Sequence, residues 1–172
     1  MQSTVDYLIV GGGSSGCALA GRLSEDANTQ VLLLEAGGKG DNWLVNTPAA
    51  VVLMVPKKFN NWAFETVPQP GLNGRKGYQP RGKVLGGSSS INAMAYIRGH
   101  RNDYDEWAAL GNAGWSFDEV LPYFKRSEDN RRIKNEMHGQ GGPLVVSDLQ
   151  TDNPFQSHYL EAARQVGYPI NE

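Results

Sequence analysis

The sequence predicts an α/β fold built on a parallel sheet, and three observations near the start of the chain lead to this prediction. Residues 5–10 form a short apolar run, the pattern of a strand buried on both faces. A glycine cluster follows and opens residues 14–25, whose small side chains predict a helix packed closely against a sheet. A second apolar run, residues 31–34, completes a strand-helix-strand unit. Its strands should be parallel and joined by a right-handed crossover.

Length and composition place the chain among globular proteins. Its 172 residues allow one domain, or one domain and part of a second, at roughly 150 residues per domain. Hydrophobic residues make up 40% of the chain, which argues against an intrinsically disordered protein. The net charge of −2 lacks the basic excess that binding to a phosphate backbone needs, so we expect no nucleic-acid partner.

Membrane, metal and disulfide chemistry are also disfavoured. The longest apolar run, residues 49–55, is far shorter than the roughly 20 residues that cross a bilayer, and the first residues lack a signal-peptide pattern. Cys17 is the one cysteine, and no spacing of Cys and His resembles a zinc site. We expect no transmembrane segment and no metal, and a location in the cytoplasm, either free or peripherally attached at the inner membrane.

Residues 11–16 read Gly-Gly-Gly-Ser-Ser-Gly and match the G-x-G-x-x-G pattern of dinucleotide-binding turns. They follow a predicted strand and open a predicted helix, which is where such a turn must lie. Glu35 ends the second predicted strand, where a carboxylate can accept hydrogen bonds from both hydroxyls of an adenosine ribose. The pattern predicts a dinucleotide without a 2′-phosphate, and does not separate FAD from NAD. The predicted contacts are Gly11, Gly13, Ser14, Ser15, Gly16 and Glu35.

The remainder of the chain is predicted to be an extended connection followed by three helices and one strand. Prolines interrupt residues 41–80, so this segment is expected to wrap over other parts of the molecule. Ser116 and Glu119 have the spacing of a capping box at a helix start. The predicted elements are helices at residues 102–110, 116–127 and 153–166, and a strand at residues 143–147.

Residues 82–99, followed by Asp105, form a second and more specific motif. Its paired glycines and three serines, at a predicted helix start, would present N–H and O–H donors to an oxyanion. The alternative is a serine-capped helix start after a tight turn. The motif lies in an electropositive stretch, residues 57–101, with eight basic and one acidic side chain. This stretch either pairs with its acidic flanks or closes over an anionic ligand.

This motif resembles the first signature of the glucose-methanol-choline oxidoreductases at every defined position from Gly82 to Asp105. The resemblance extends to residues 11–16, 35–37, 98–107 and 114–115, so it covers nearly the whole chain. These segments look most like the choline and aliphatic-alcohol dehydrogenase branch of the family. The resemblance implies a Rossmann-like FAD-binding domain, whose sheet is incomplete in this chain. Further cofactor contacts are predicted at Ala36, Trp62, Arg81, Val84, Gly87, Ser88, Asn92, Ala93, Met94 and Ala95, and the resemblance implies that the last four lie beside the flavin.

Individual residues make the expected mode of cofactor binding more specific. Trp62 either covers the cofactor or fills a gap, and Arg81 with Lys83 is a candidate source of positive charge for the pyrophosphate. Ile91 stands where some family members carry a histidine bonded covalently to the flavin, so FAD is expected to be held without a covalent bond.

The resemblance further implies hydride transfer from a primary alcohol to FAD, with a histidine near the end of a much longer chain accepting the hydroxyl proton. No catalytic residue is therefore expected here, and the three histidines are expected to have surface or packing roles. We expect an FAD-binding region at residues 1–142 and the start of a substrate-binding domain at residues 143–172. The C-terminal remainder, as a second chain, would complete the sheet and the site for a small alcohol.

Two other functions fit the same residues. Some members of this family keep the flavin site and cleave cyanohydrins without net redox chemistry, so a hydroxynitrile lyase is one alternative. The glycine motif by itself also fits an NAD-binding module. Visible flavin absorbance separates the first two functions from the last, and bleaching by an alcohol without oxygen separates an oxidoreductase from a lyase.

Overall fold

A computed structural model describes residues 4–149 and 153–169 and divides them into two compact units. Unit 1 runs to Ala95, and unit 2 begins at Tyr96. The helices and strands of unit 1 are β1 (Tyr7–Val10), α1 (Ser14–Leu23), β2 (Val31–Leu34), α2 (Trp43–Asn46), α3 (Val51–Met54), β3 (Phe64–Glu65) and β4 (Tyr78–Gln79). Those of unit 2 are α4 (Arg101–Ala109), α5 (Phe117–Ser127), β5 (Glu128–Asn130), β6 (Leu144–Val146) and α6 (Phe155–Gln165).

The predicted strand-helix-strand unit is confirmed at the start of unit 1. Strands β1 and β2 pair in parallel, with Tyr7 opposite Val31 and Val10 opposite Leu34. The expectation that these strands are buried on both faces is wrong, since Val10 is 80% exposed and Leu34 is 47% exposed. The reason is that the sheet has two strands among the described residues, and so narrow a sheet leaves edges and apolar faces in solvent.

The predicted extended connection contains short elements that build the core of unit 1. Helices α2 and α3 lie in it, and β3 pairs antiparallel with β4, Phe64 facing Gln79. The buried core joins Met54 of α3 to Val84 and Ile91, with partly buried leucine and valine side chains of α2 packed against it. The connection therefore packs onto the second motif instead of only passing over the surface.

The second motif does not begin a helix, contrary to the sequence prediction. Gly87–Ser90 forms a single 3-10 turn, and the following residues up to the start of α4 have no regular structure. The side chain of Ser89 donates to the carbonyl oxygen of Gly86 at 2.6 Å, and that of Ser90 donates to Leu85 at 2.8 Å. These local bonds offer the backbone an alternative to helical hydrogen bonds, because a serine hydroxyl competes for the same carbonyl groups.

The three helices predicted in this part of the chain are confirmed in unit 2, and their observed ends lie within about two residues of the predicted ones. The capping box at Ser116 and Glu119 forms at the start of α5, and Tyr104 packs edge-on against Phe124 between α4 and α5. The predicted strand is β6, which pairs in parallel with β5, a strand the sequence did not predict. None of the described helices is both long and apolar enough to cross a bilayer.

The division into two units at residue 95 is a division by contacts within this chain. The predicted boundary between an FAD-binding region, residues 1–142, and a substrate-binding domain, residues 143–172, concerns function and stays a prediction. Residues 150–152 of that second region, and its last three, lie outside the described residues.

Candidate functional site

The glycine turn of residues 11–16 connects β1 to α1. Gly11 has a φ of +99°, and Gly13 is the N-cap of α1 without any side-chain hydrogen bond to the helix start. The first turn of α1 carries no acidic side chain. A Cβ at Gly16 would lie 2.0 Å from the carbonyl oxygen of Gly11, so only glycine lets the helix begin this close to the strand end. The N–H groups of the first turn are thus left for an anion, which the helix dipole also favours.

The second motif packs directly on this glycine turn. The N–H of Gly86 donates to the carbonyl oxygen of Gly12 at 2.6 Å, and Gly13 and Gly86 form a parallel bridge. A Cβ added to Gly87 would lie 2.8 Å from the Cα of Gly13, so the two backbones could not approach this closely with a side chain there. Two motifs that are far apart in sequence therefore form one backbone surface.

The carboxylate of Glu35 ties the glycine turn to the end of β2. Its Oε2 accepts a hydrogen bond from the N–H of Gly12 at 2.6 Å, and its Oε1 accepts one from the N–H of Gly37 at 2.8 Å. The side chain is half-buried. An ionised carboxylate has about four acceptor positions, so two remain for other donors. Ribose hydroxyls are donors of the kind predicted for this residue.

A cleft of about 570 Å³ opens over these groups within unit 1. It is a size typical of ligand-binding pockets, and its lining combines backbone groups, a carboxylate, a guanidinium and aromatic rings. Residues predicted from the sequence that line it are Gly11, Gly13, Glu35, Ala36, Trp62, Arg81, Gly87 and Ser88. Residues that line it but were missed are Val10, Leu34, Phe64 and Gly82.

The sequence contains features from which most of the missed cleft residues could have been identified. Val10 and Leu34 end the two parallel strands, and ligands of such sheets bind at the carboxyl ends of strands. Phe64 lies two positions from Trp62, and their rings stack with centroids 5.6 Å apart and planes 9° from parallel. The Nζ of Lys83 lies 4.3 Å from the centre of a Trp62 ring, so this aromatic wall carries a positive charge.

Other predicted contacts do not line the cleft. Val84 is fully buried in the core of unit 1, where it packs with Met54 and Ile91. Ser14 and Ser15 are exposed on the first turn of α1, and Gly16 is buried beneath them. The residues predicted to lie beside the flavin are exposed and follow the 3-10 turn, namely Asn92, Ala93, Met94 and Ala95.

The segment that follows Ile91 is held by its own turn. The Oδ1 of Asn92 accepts a hydrogen bond from the N–H of Met94 at 2.8 Å, and Met94 has a φ of +58°. A positive φ is uncommon for a non-glycine residue and is frequent at ligand-binding sites.

Unit 2 contains a second carboxylate with several partners, Glu128, which is fully buried. It lies 2.5 Å from Arg98 Nη2, 2.9 Å from both Asn130 Nδ2 and His138 Nδ1, and 3.0 Å from the N–H of Gly139. Burial alone would raise the pKa of this carboxyl. The hydrogen bonds, with the positive charge of the arginine, outweigh burial and lower the pKa to about 2.

The histidines of the described residues contact elements of unit 2. The Nδ1 of His100 accepts from the N–H of Asn102 at 3.2 Å and so caps α4, while His138 contacts the buried carboxylate. The ring of His158 lies 6.3 Å from that of Phe155 on α6. Within the described ranges, no three side chains of His, Cys, Asp or Glu gather as a metal site would require.

Similarity to known proteins agrees with this geometry. A family model described as GMC oxidoreductase matches residues 5–172. Mitochondrial choline dehydrogenase of Mus musculus is 46% identical over 96% of this chain and 29% of that protein. An alcohol dehydrogenase (acceptor) of Pseudomonas putida is 47% identical, over 96% of this chain and 30% of that protein. The chain thus spans less than a third of the length of these curated relatives.

Among solved structures, pyridoxine 4-oxidase from Mesorbium loti superposes with a TM-score of 0.87 at 38% identity, over 96% of this chain and 33% of that one. A formate oxidase superposes with a TM-score of 0.86 at 32% identity, over 98% of this chain and 31% of the other. The resemblance inferred from the two glycine motifs is confirmed by the family model, the relatives and the structures together. The chain belongs to the GMC oxidoreductases, a family of FAD-dependent enzymes.

Proposed function

We propose that this chain is the FAD-binding part of an enzyme that oxidises a primary alcohol, either choline-like or aliphatic, by hydride transfer. The observation that supports it most is the cleft of unit 1, in which the glycine turn, Glu35 and the second motif meet. Membership of an FAD-dependent family argues against the NAD-binding module considered from the sequence. The relatives named as choline and alcohol dehydrogenases favour an alcohol over a cyanohydrin as substrate.

The groups of the cleft fit the ADP half of FAD. The uncapped first turn of α1 would bind the pyrophosphate, because its N–H groups and the helix dipole favour an anion. Glu35 would accept from the ribose hydroxyls, and the exposed Arg81 would offset phosphate charge at the mouth of the cleft. Trp62 would cover the cofactor with its ring. The exposed residues of the second motif, Ser88 to Ala95, would lie on the flavin side.

When bound, FAD supplies the acceptor for the hydride of the alcohol carbon. We propose that it is held without a covalent bond, since Ile91 is a buried hydrocarbon side chain in the core with Met54 and Val84. Acid precipitation tests this point. Flavin released into the supernatant is the expected result, and flavin that stays with the precipitated protein would contradict it.

Alcohol oxidation is proposed to require polypeptide beyond these 172 residues, because the curated relatives are more than three times as long. The apolar faces of β1 and β2 are exposed, as shown by Val10 and Leu34, and further strands would bury them. The proposed remainder also supplies the substrate pocket and the proton acceptor. The cytoplasmic location, free or peripheral at the inner membrane, stays a prediction.

The cofactor assignment is tested by titrating the chain with FAD and replacing Glu35 by Gln. A charge-assisted hydrogen bond contributes about 1.5 to 3 kcal/mol, so Glu35→Gln should weaken FAD binding by roughly 10- to 150-fold. Glu25→Gln is the matched control, because Glu25 pairs with Arg22 on the exposed surface of the same unit. Equal FAD affinity in wild type and Glu35→Gln would overturn the assignment.

The reaction class is tested on the protein together with the remainder of the enzyme, under anaerobic conditions. Bleaching of the flavin absorbance by a primary alcohol is the expected result, because the hydride reduces the cofactor. Cyanohydrin cleavage without bleaching would establish the lyase alternative instead. Turnover of an alcohol by a sample shown by mass to contain residues 1–172 alone would refute the need for further polypeptide.

A further inference from the structure

Asn61 is a buried side chain next to the cleft, and it belongs to neither of the two glycine motifs. It is 4% exposed and adjoins Trp62, which lines the cleft. Its Nδ2 donates to the carbonyl oxygens of Val55 and Lys57 at 3.1 and 3.0 Å, at the end of α3. The hydroxyl oxygen of Tyr78 on β4 also lies 2.9 Å from this Nδ2, so the two amide hydrogens are shared among three acceptors. One side of this amide is thus fixed to the packed part of unit 1.

The other side of the amide holds the wall of the cleft. The Oδ1 of Asn61 accepts hydrogen bonds from the N–H of Arg81 at 2.9 Å and from the N–H of Ala63 at 3.0 Å. The N–H of Trp62 donates to the carbonyl oxygen of Arg81 at 2.8 Å. Both backbone polar groups of Arg81 are therefore bound by residues 61 and 62.

This arrangement holds backbone in a conformation that it would not adopt freely. Asn60 and Ala63 have φ angles of +53° and +51° on either side of the pair 61–62. An alanine with positive φ is rare and persists where the surroundings impose it. The Oδ1 of Asn61 accepts from the N–H of that alanine, so it is among the groups that impose the conformation.

We propose that Asn61 is a positioning residue for the cofactor, which fixes the Trp62 and Arg81 wall of the cleft before the ligand arrives. It does not line the cleft and acts through the two residues that do. This inference rests on the proposed function, because it assigns the wall to FAD. A preformed wall binds more tightly, since its ordering cost is met on folding and not on binding.

The test uses Asn61→Ala with Asn130→Ala as a matched control. Asn130 is a comparable buried amide in unit 2, 5% exposed, whose Oδ1 accepts from the N–H groups of Arg132 and Ile133. Both variants lose a buried hydrogen-bonding side chain and should be destabilised alike. The proposal expects Asn61→Ala to weaken FAD binding roughly 10-fold or more at a temperature where both are folded, which corresponds to about 1.4 kcal/mol. Asn130→Ala should bind within about twofold of wild type.

Two further measurements separate positioning from a merely structural role. Hydrogen exchange without FAD should accelerate at the amides of Trp62 and Arg81 in Asn61→Ala and stay unchanged there in Asn130→Ala. In an Arg81→Gln background, Asn61→Ala should cost less FAD affinity than in wild type, because residues acting through one another are not additive. If Asn61→Ala does not fold, Tyr78→Phe is a milder probe, since it removes one anchor of the same amide.

The outcomes distinguish this inference from the function on which it rests. Faster exchange at the wall with unchanged FAD affinity would overturn the positioning role and leave the proposed function intact. An equal loss of affinity in Asn61→Ala and Asn130→Ala would do the same, because stability alone would explain it. A wild-type protein that binds no FAD would overturn both.

Discussion

Each unit contains an acidic side chain that accepts several hydrogen bonds, and the two differ in what surrounds them. Glu128 of unit 2 is fully buried, and its carboxylate is enclosed by an arginine, an asparagine, a histidine and a backbone N–H. Glu35 of unit 1 is half-buried, has two backbone partners and borders an open cleft. A buried carboxylate whose acceptor positions are all used by protein donors stabilises the fold. A carboxylate that keeps free acceptor positions at a cleft is available to a ligand.

The largest effect is expected from removing the charge of Glu128. Glu128→Gln should lower the free energy of unfolding by about 3–5 kcal/mol, because Arg98 is left as an uncompensated, largely buried charge. Urea unfolding followed by circular dichroism measures it. Asp118→Asn is the control, since Asp118 is 76% exposed in its pair with Arg101, and should change stability by about 0–1 kcal/mol. Equal effects of the two variants would contradict the structural role of Glu128.

Low pH should also remove the stabilisation that Glu128 provides. The pKa of Glu128 is about 2 in the folded protein against an ordinary value of 4.5 for a glutamate in the unfolded chain, so the unfolded state binds more protons between these values. The stabilisation is fully present above about pH 4.5 and is lost as the pH falls towards 2. Urea midpoints measured between these pH values should fall more steeply in wild type than in Glu128→Gln. Parallel pH profiles would show that another group governs acid unfolding.

In unit 1, we expect a change at the glycine turn to weaken the binding of FAD. Gly16→Ala places a Cβ against the carbonyl oxygen of Gly11, which must move the start of α1, and FAD binding should weaken about 100-fold, equivalent to about 2.7 kcal/mol. Gly21→Ala is the matched control in the same helix. Its Cβ would have no atom within 4 Å, so it should stabilise by about 0.5–1 kcal/mol and bind FAD normally. Wild-type affinity in Gly16→Ala would exclude the turn from the binding site.

The smallest expected effect concerns charge at the mouth of the cleft. Arg81→Gln should weaken FAD binding about two- to fivefold at low salt, because an exposed ion pair contributes less than about 1 kcal/mol. The difference should shrink at about 1 M salt, where charges are screened within about 3 Å. Arg75→Gln is the control, since Arg75 lies in the same unit and does not line the cleft. A salt-independent loss would show that Arg81 acts by packing and not by charge.

Much of this fold could be predicted because its patterns are local. The apolar runs that became β1 and β2 have the composition of strands, and Ser116 and Glu119 have the spacing that closes a capping box. The glycine turn and Glu35 were found for the same reason, since turn, helix start and strand end follow one another along the chain.

The features that could not be predicted from the sequence depend on contacts between residues that are distant in the chain. Strand β5 is polar and has no strand signal, and it is held in place by the buried Glu128, whose partners Arg98, His138 and Gly139 lie 10 to 30 residues away. The role inferred for Asn61 is of the same kind, because an Asn-Asn-Trp sequence is typical of a loop and its partners lie just after α3 and on β4. The serines of the second motif misled the helix prediction because their hydroxyl groups bond to backbone carbonyls.

Whether the cleft of unit 1 holds FAD can be determined from a structure of the protein with FAD bound. We expect the pyrophosphate to lie over the turn of residues 11–16 and a ribose hydroxyl to lie within hydrogen-bond distance of Glu35. We also expect Asn92 and Ala93 to lie within two hydrogen-bond lengths of the flavin, roughly 6 Å. FAD bound away from the glycine turn, or a ribose with no contact to Glu35, would show that this cleft is not the binding site for the ADP half of FAD.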